Sequence, residues 1–477
     1  MNKNIPFIRF NHLWKEQKVV TNIFWDSIVL KNDEFYKYLE DKIDVNTDLF
    51  KELTEKKFFK LTDKDYLKNA VTEYQKRNWI NFIWPTLHIM VLTKWCNHQC
   101  KYCHAAADYR YTDDWLSMNE ESAAKIIDII LSSPAKNLTI EFQWWEPLVN
   151  MKLIDFIVKD TEEKNKITKK NINYALVSNL TLVDDEILEK LFSYPNLSIS
   201  TSLDWDRKTH DFNRLMIWKN NLVSSFDALK EKIYLIREWE EKKWKKILHW
   251  AMWVITRKTL NNYRELVDTY IELWFDNIFL KKLNWLWFAV KSKNTLGYSN
   301  EELVEFYRNY FNYLIELYWK GIKVKEWFLW IIMWKILNPE DTNFMDLRSP
   351  CGAWIWQIAY DYTWSIYTCD EWRMVDDDVF KIWDVNSSLE DLVQNEMVWA
   401  MMDASIVESL PCDICAYAPY CWVCPIESYQ ARWNIYTNQV FDGHCSFFMF
   451  LFDWVFTVLG DKNSLEHEFL NYQAEKL

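Results

Sequence analysis

Cys96, Cys100 and Cys103 follow an apolar, β-type run, Leu87–Thr93, with the spacing C-x3-C-x2-C. No other feature narrows the fold and chemistry of this chain as much. Three thiolates can hold three irons of a [4Fe–4S] cube and leave the fourth iron open to an exchangeable ligand. An ordinary electron-transfer cluster uses four. The competing reading is a zinc site that His104 would complete, since structural zinc takes four protein ligands. Three simply buried thiols are the third option.

The segments that follow fix the context of the loop. Strand-like runs at Leu138–Phe142, Asn173–Ser178, Leu197–Leu203, Ile247–Thr256 and Asn277–Leu280 alternate with helical stretches such as Glu120–Ser132 and Asn221–Glu240. Strands alternating with helices argue for parallel βαβ units. Six of them predict an α/β fold, a partial (β/α)6 barrel. Barrels of this kind carry their chemistry at the C-terminal strand ends, where the three cysteines fall. Upstream, Lys18-Val-Val-Thr-Asn and Ser27-Ile-Val-Leu read as strands and Asn32–Leu61 as mixed helix, a small α+β region over 1–85 that is a candidate for peptide binding. The barrel is expected over 86–300, a helical linker over 301–350, a cysteine-rich module over 351–446 and a C-terminal helix over 447–477.

That module carries the other seven cysteines, Cys351, Cys369, Cys412, Cys415, Cys421, Cys424 and Cys445. Pairs spaced C-x2-C suit zinc ribbons as well as iron–sulfur clusters. The formal net charge of −13 disfavours nucleic acid as a partner. No run reaches the roughly 20 apolar residues of a membrane span, and Met1–Phe10 lacks the apolar core of a signal peptide. A cytoplasmic protein with reduced or metal-bound thiols is expected.

The three-cysteine loop resembles the signature of the radical S-adenosylmethionine (SAM) superfamily. Glu141-Phe-Gln-Trp-Trp-Glu-Pro147 is similar to that family's Gly-Gly-Glu-Pro motif with Trp144 and Trp145 in place of both glycines. The resemblance implies that the backbone at 144–145 and Glu146 receive the SAM amino group. It also makes Tyr102 a neighbour of the adenine, and Ser178 and Asn179 contacts to ribose or methionine. Ser202-Leu-Asp204, with His210, Asp211 and Arg214, resembles the Ser-x-Asp-Gly…Arg pattern of peptide-modifying members. Ser202, Asp204 and Arg214 are therefore candidate SAM or substrate contacts. A strand-end Asp also serves commonly as a helix cap.

The later cysteines resemble the SPASM extension of these enzymes, which holds two auxiliary [4Fe–4S] clusters. By that resemblance Cys412, Cys415, Cys421 and Cys445 ligate one cluster, and Cys351, Cys369 and Cys424 the other. Asp370 stands where some sulfatase-activating relatives place a catalytic carboxylate; a solvated turn residue is the plainer reading. Pro6-Phe-Ile-Arg-Phe, Cys96-Asn-His-Gln-Cys100, Phe288-Ala-Val-Lys and Cys415-Ala-Tyr-Ala-Pro-Tyr-Cys421 extend the likeness to the radical SAM maturase of the His-Xaa-Ser peptide system. The resemblance implies reductive cleavage of SAM to a 5′-deoxyadenosyl radical that abstracts hydrogen from a ribosomally made precursor peptide. A flavodoxin- or ferredoxin-like donor would supply the electron. Two alternatives stand beside it: a sulfatase-maturase-like enzyme that makes formylglycine, and a non-catalytic metal-binding scaffold for peptides.

One departure runs through every motif. The chain has 30 Trp and 5 Gly, where average usage, about 7% Gly, would give roughly 33. Trp occupies glycine-like places: Trp144, Trp145, Trp205, Trp285, Trp287, Trp364, Trp422 and Trp433. Most of these residues are expected to be UGA codons that the cell reads as glycine.

Overall fold

The computed structural model describes residues 5–59, 63–78, 84–103, 116–218, 221–275, 277–285, 288–338, 344–345, 347–353, 355–375, 378–407, 411–436 and 444–475. His104 and Trp287 lie outside them. The chain divides into two compact units. One comprises Met1–Ile83, Phe328–Gly352 and Met401–Leu477; the other comprises Trp84–Trp327 and Ala353–Ala400.

In the first unit, β1 (Ile8–Leu13), β2 (Gln17–Asn22) and β3 (Ser27–Lys31) form an antiparallel sheet in that order. Apolar side chains on one face of the sheet, Val20, Ile28 and Leu30, pack on Phe35, Tyr38 and Leu53 from the following helices and on Phe58 just beyond them. Each such fully buried large side chain contributes about 1.5–3 kcal/mol. The helix His444–Leu459 buries Phe447, Phe448, Leu451, Val455 and Phe456. It is followed by a second helix, Leu465–Ala474, after the turn around Gly460.

In the second unit, β4 (Leu87–Met90), β6 (Asn137–Phe142), β7 (Asn171–Ser178), β8 (Leu197–Ser202), β11 (Leu248–Val254) and β12 (Asn277–Lys281) run parallel in that spatial order. Between them in sequence lie β5 (His98–Cys100), β9 (Arg214–Trp218) and β10 (Asn221–Val223), which form a separate antiparallel sheet. The main sheet is longer than the six expected strands. β13 (Lys325–Glu326) adds to the β12 edge. β14 (Gln357–Tyr360), β15 (Ser365–Tyr367) and β16 (Lys381–Asp384) extend the β4 edge, with β14 parallel to β4. The fold is α/β, built on a mainly parallel sheet.

Strand alternation sorts the side chains. Leu138, Ile140 and Phe142 of β6 are buried, as are Ile172, Tyr174, Leu176 and Ser178 of β7 and Leu197, Ile199 and Thr201 of β8. The intervening residues share the other face. Register carries that row across the sheet through Gln357–Leu87, Ile89–Glu141, Glu141–Ala175, Ala175–Ser198, Ser202–Met252 and Val254–Lys281. Period-2 geometry therefore gathers Glu141, Ser198, Ser202, Lys281 and Gln357 on one face.

The helix expected from Asn221 begins at Ser225, capped by the Ser224 side chain, because Asn221–Val223 pairs with β9 instead. Among the described residues no helix is long and apolar enough to cross a membrane.

Candidate iron–sulfur and cofactor site

The three cysteines lie where β4 runs out at the C-terminal edge of the sheet. The loop is stitched down by β5, which pairs with β9 so that Cys100 stands opposite Arg214 and His98 opposite Met216. Lys101 N donates to Asn213 O at 2.8 Å, and Cys103 N to Cys100 O at 3.1 Å. The Cys96 sulfur accepts from its own loop at His98 N, 3.4 Å, and from Asn179 Nδ2 at 3.9 Å. Burial first, then Cys100, Glu146 and Cys103, pushes the Cys96 thiol well up. Burial pushes Cys100 up to about 12, with Cys103 and Asp204 adding to it and Arg214 opposing. The three sulfurs thus feel one another, and a bound metal reverses this by selecting the thiolates.

Glu146 is fully buried. Its Oε1 accepts from Ser178 Oγ at 2.8 Å and Leu148 N at 3.0 Å, and its Oε2 from Asn179 N at 2.8 Å. Burial pushes its carboxyl up to about 7 against those three donors. Ser178 and Asn179 therefore tie the end of β7 to the end of β6. Asn179 also donates to Asn97 Oδ1 at 2.8 Å, inside the cysteine loop.

Tyr102, Asp204 and Arg214 form one buried cluster. Tyr102 Oη lies 3.1 and 3.0 Å from the two Asp204 oxygens, Asn213 Nδ2 donates to Asp204 at 3.2 Å, and Arg214 Nε lies 3.4 Å from it. The Arg214 guanidinium covers the Tyr102 ring at 5.2 Å, whose other neighbours are Leu283, Ala289 and Leu296. His210 Nδ1 accepts from Asp204 N at 3.1 Å, and burial holds the ring well below its usual range, hence neutral. Asp211 caps the next helix through Phe226 N at 2.9 Å. The sequence reading treated these residues as separate contacts. The structure makes Tyr102, Asp204 and Arg214 partners of one another beneath Cys100, while Ser202 stays on the inner row of β8. Asp204→Ala strands the guanidinium without a counter-ion and should cost about 3–5 kcal/mol in denaturant unfolding. Adding Arg214→Met to that variant should recover most of the loss.

Asp370 is not a free turn carboxylate. Its Oδ2 accepts from Gln143 Nε2 at 2.8 Å and Trp144 Nε1 at 2.9 Å, and its Oδ1 from Gln357 Nε2 at 2.7 Å. The reading of the sequence missed Glu141 on the same face. Burial, then Asp370, pushes Glu141 up to about 7, with Lys281 opposing. Strand alternation through β6 was the signal that could have found it. Below about pH 7 the folded chain holds a proton there that the unfolded chain releases in the ordinary carboxylate range. The stability contributed is full below that range and is lost as pH rises through about 7. Glu141→Gln should flatten this part of the Tm–pH curve, by up to about 3 kcal/mol.

In the first unit, Cys412, Cys415, Cys421 and Cys445 come together. Burial pushes Cys421 up to about 12, with Cys415, Cys412 and Cys445 adding to it, and pushes Cys412 up to about 11 with Cys415 and Cys445 adding. The N-terminal sheet braces their loop. Arg9 bonds the Asp413 carbonyl at 2.5 Å and its carboxylate at 2.9 Å, Thr21 Oγ1 donates to Ala416 O at 2.8 Å, and Asn11 Nδ2 reaches the Cys415 sulfur at 3.7 Å. Cys351, whose N donates to Ser405 Oγ at 2.9 Å, and Cys424, which precedes the helix Pro425–Arg432, belong to the same unit. Cys369 belongs to the other unit. Among the described residues no three His, Cys, Asp or Glu side chains enclose a single metal ion.

The thiols of the first loop suit a cube with one open iron. The cofactor side does not fit as written. Trp144 and Trp145 pack on Cys103 and Met374, and Arg373 lies over both indoles at 5.1 and 4.4 Å. Two large rings stand beside the third cysteine, on the backbone that the resemblance assigns to the SAM amino group.

Residues 90–238 match the family described as the Radical SAM superfamily. It is 26% identical over 234 residues to the radical SAM cyclopropyl synthase TigE of Paramaledivibacter caminithermalis, a match covering 46% of each chain. It is 29% identical over 179 residues to an uncharacterised protein of Methanocaldococcus jannaschii, covering 38% of this chain and 56% of that one. The chain thus spans about half the length of these curated relatives. Among solved structures, anSMEcpe with bound AdoMet aligns with TM-score 0.66 at 16% identity, covering 79% of this chain and 99% of that one. Streptococcus suis SuiB bound to its precursor peptide SuiA aligns with TM-score 0.54 at 16% identity, covering 91% and 98%. At such identity these two likenesses establish the fold.

Proposed function

We propose that this chain is a radical SAM enzyme that modifies a ribosomally made peptide. The observation that carries the reading is the three-thiol loop pinned by β5–β9 at the C-terminal edge of the parallel sheet. When bound, the cluster and SAM supply a 5′-deoxyadenosyl radical that abstracts hydrogen. The chain's own part is to hold Cys96, Cys100 and Cys103 in register and to surround the reaction with a packed barrel that excludes water. Asn97, Asn179 and Arg214 support the cysteine loop. The polar inner row, with Ser198, Ser202, Gln143 and Asp370, suits a peptide segment better than a lipid or a purely apolar substrate. SuiB, similar in fold, binds a precursor peptide, which supports the same substrate class. The N-terminal α+β region is the proposed docking element for the precursor.

An auxiliary cluster is proposed on Cys412, Cys415, Cys421 and Cys445. After burial, Cys415, Cys412 and Cys445 each push the Cys421 thiol up, and this nearness supports the four-thiol donor set. A second reading, formylglycine formation, rests on Asp370, a carboxylate held by Gln143 and Gln357 on the inner face. A single assay separates the readings. Anaerobically reconstituted, reduced protein is incubated with SAM and either the precursor peptide from a neighbouring gene or a sulfatase-type Cys peptide. Modification of the precursor supports maturase chemistry, formylglycine on the Cys peptide favours the alternative, and no 5′-deoxyadenosine with intact clusters overturns both.

A further inference from the structure

The disagreement between the cofactor site and its two indoles extends through the whole chain. Among the described residues, 15 non-glycine positions have positive φ, and seven are Trp. With 30 Trp in 477 residues, about one would fall there by chance. Left-handed backbone favours glycine, and bulky residues there are outliers.

The seven fall into three structural roles, each of which glycine ordinarily fills. Trp244, Trp274 and Trp433 end helices, with φ of 52°, 58° and 56°. After Trp244 and Trp274 the next amide returns to a carbonyl five residues back, Lys245 to Glu240 at 3.2 Å and Phe275 to Tyr270 at 2.9 Å. Gly321, at φ 81°, occupies the same place: Ile322 returns to Leu317 at 3.0 Å. This is the helix-terminating motif in which glycine is the usual residue. All three indoles project into solvent, with Trp244 95%, Trp433 80% and Trp274 58% exposed.

Trp25 and Trp364, at φ 65° and 71°, close two hairpins of identical pattern. Asn22 N bonds Asp26 O while Trp25 N bonds Asn22 O; Asp361 N bonds Ser365 O while Trp364 N bonds Asp361 O. The third loop residue of such hairpins is the left-handed glycine of a bulge. Trp144 and Trp145, at φ 75° and 54°, follow β6 at the cofactor site. A further sign comes from the indole nitrogens. Those of Trp145, Trp205 and Trp422 are buried with no acceptor, whereas buried polar groups are ordinarily paired.

We propose that these seven tryptophans are glycines in the protein the cell makes, encoded by UGA triplets that its translation system reads as glycine. The backbone carries this inference without reference to any activity. At positions 144 and 145 it removes the two side chains that stand beside Cys103, so the chain presents bare amides where SAM would lie.

The test is peptide mass spectrometry on the protein purified from the organism that encodes it, with the gene sequenced alongside. A peptide spanning residues 137–152 should carry Gly-Gly at 144–145, and peptides covering 244, 274, 364 and 433 should each carry Gly, all at UGA codons. Trp in these peptides, or UGG in the gene, overturns the inference. The outcome is separable from the proposed function. Glycine at the seven sites without SAM cleavage sustains the recoding and removes the enzyme reading; Trp with SAM cleavage does the reverse.

Discussion

Alanine at Cys96, Cys100 and Cys103 together should abolish SAM cleavage, by at least about 10³-fold, and remove about four irons per chain. The cluster loop offers three thiols, and Cys100 is fixed opposite Arg214 by backbone pairing rather than by the metal. The loop should therefore keep its shape when the sulfurs are lost. Circular dichroism and Tm of the apo variant should stay close to those of the apo parent, while the iron count and the visible absorption of the first cluster disappear. Iron bound to Cys412, Cys415, Cys421 and Cys445 should persist, because these thiols belong to the other compact unit. Loss of all iron would contradict the two-site account.

Glycine at both 144 and 145 should raise SAM affinity at least about a hundredfold over the chain carrying the two tryptophans. The rings pack on Cys103 and Met374. Accommodating a ligand there means displacing two indoles from a packed site, and overpacking of this kind costs about 1–3 kcal/mol per residue. The backbone change acts on stability rather than on affinity, because the free and bound forms share the left-handed conformation. A non-glycine residue in left-handed conformation costs roughly 1–2 kcal/mol, which glycine does not incur. Isothermal titration of the reconstituted protein with SAM reads the difference. Equal affinity in both forms would mean that the indoles do not stand in the cofactor's way.

Much of the fold was readable because its strands keep period 2 or run continuously apolar between capped helices. The elements placed at Leu138–Phe142, Asn173–Ser178 and Leu197–Leu203 match β6, β7 and β8 to within two residues. The missing pieces are those without local pattern. β5 is three residues of the cysteine loop, visible only through its pairing with β9. β14 is four residues whose partner, β4, lies 270 positions earlier. The helix expected from Asn221 starts later because long-range pairing with β9 overrides local propensity.

At the site, spacing alone grouped Cys96, Cys100 and Cys103 on one loop. The mutual pairing of Tyr102, Asp204 and Arg214 was not, since each sits on a different element. Asp370 looked solvated in sequence because Gln143 and Gln357 reach it from distant strands.

The central claim is that the three-cysteine loop supports reductive cleavage of SAM. The direct test is anaerobic reconstitution of the form with glycine at 144 and 145, reduction with dithionite, addition of SAM and quantification of 5′-deoxyadenosine by mass spectrometry. The account predicts product that depends on reductant and on Cys96, Cys100 and Cys103. No product from protein with a fully assembled first cluster would contradict it.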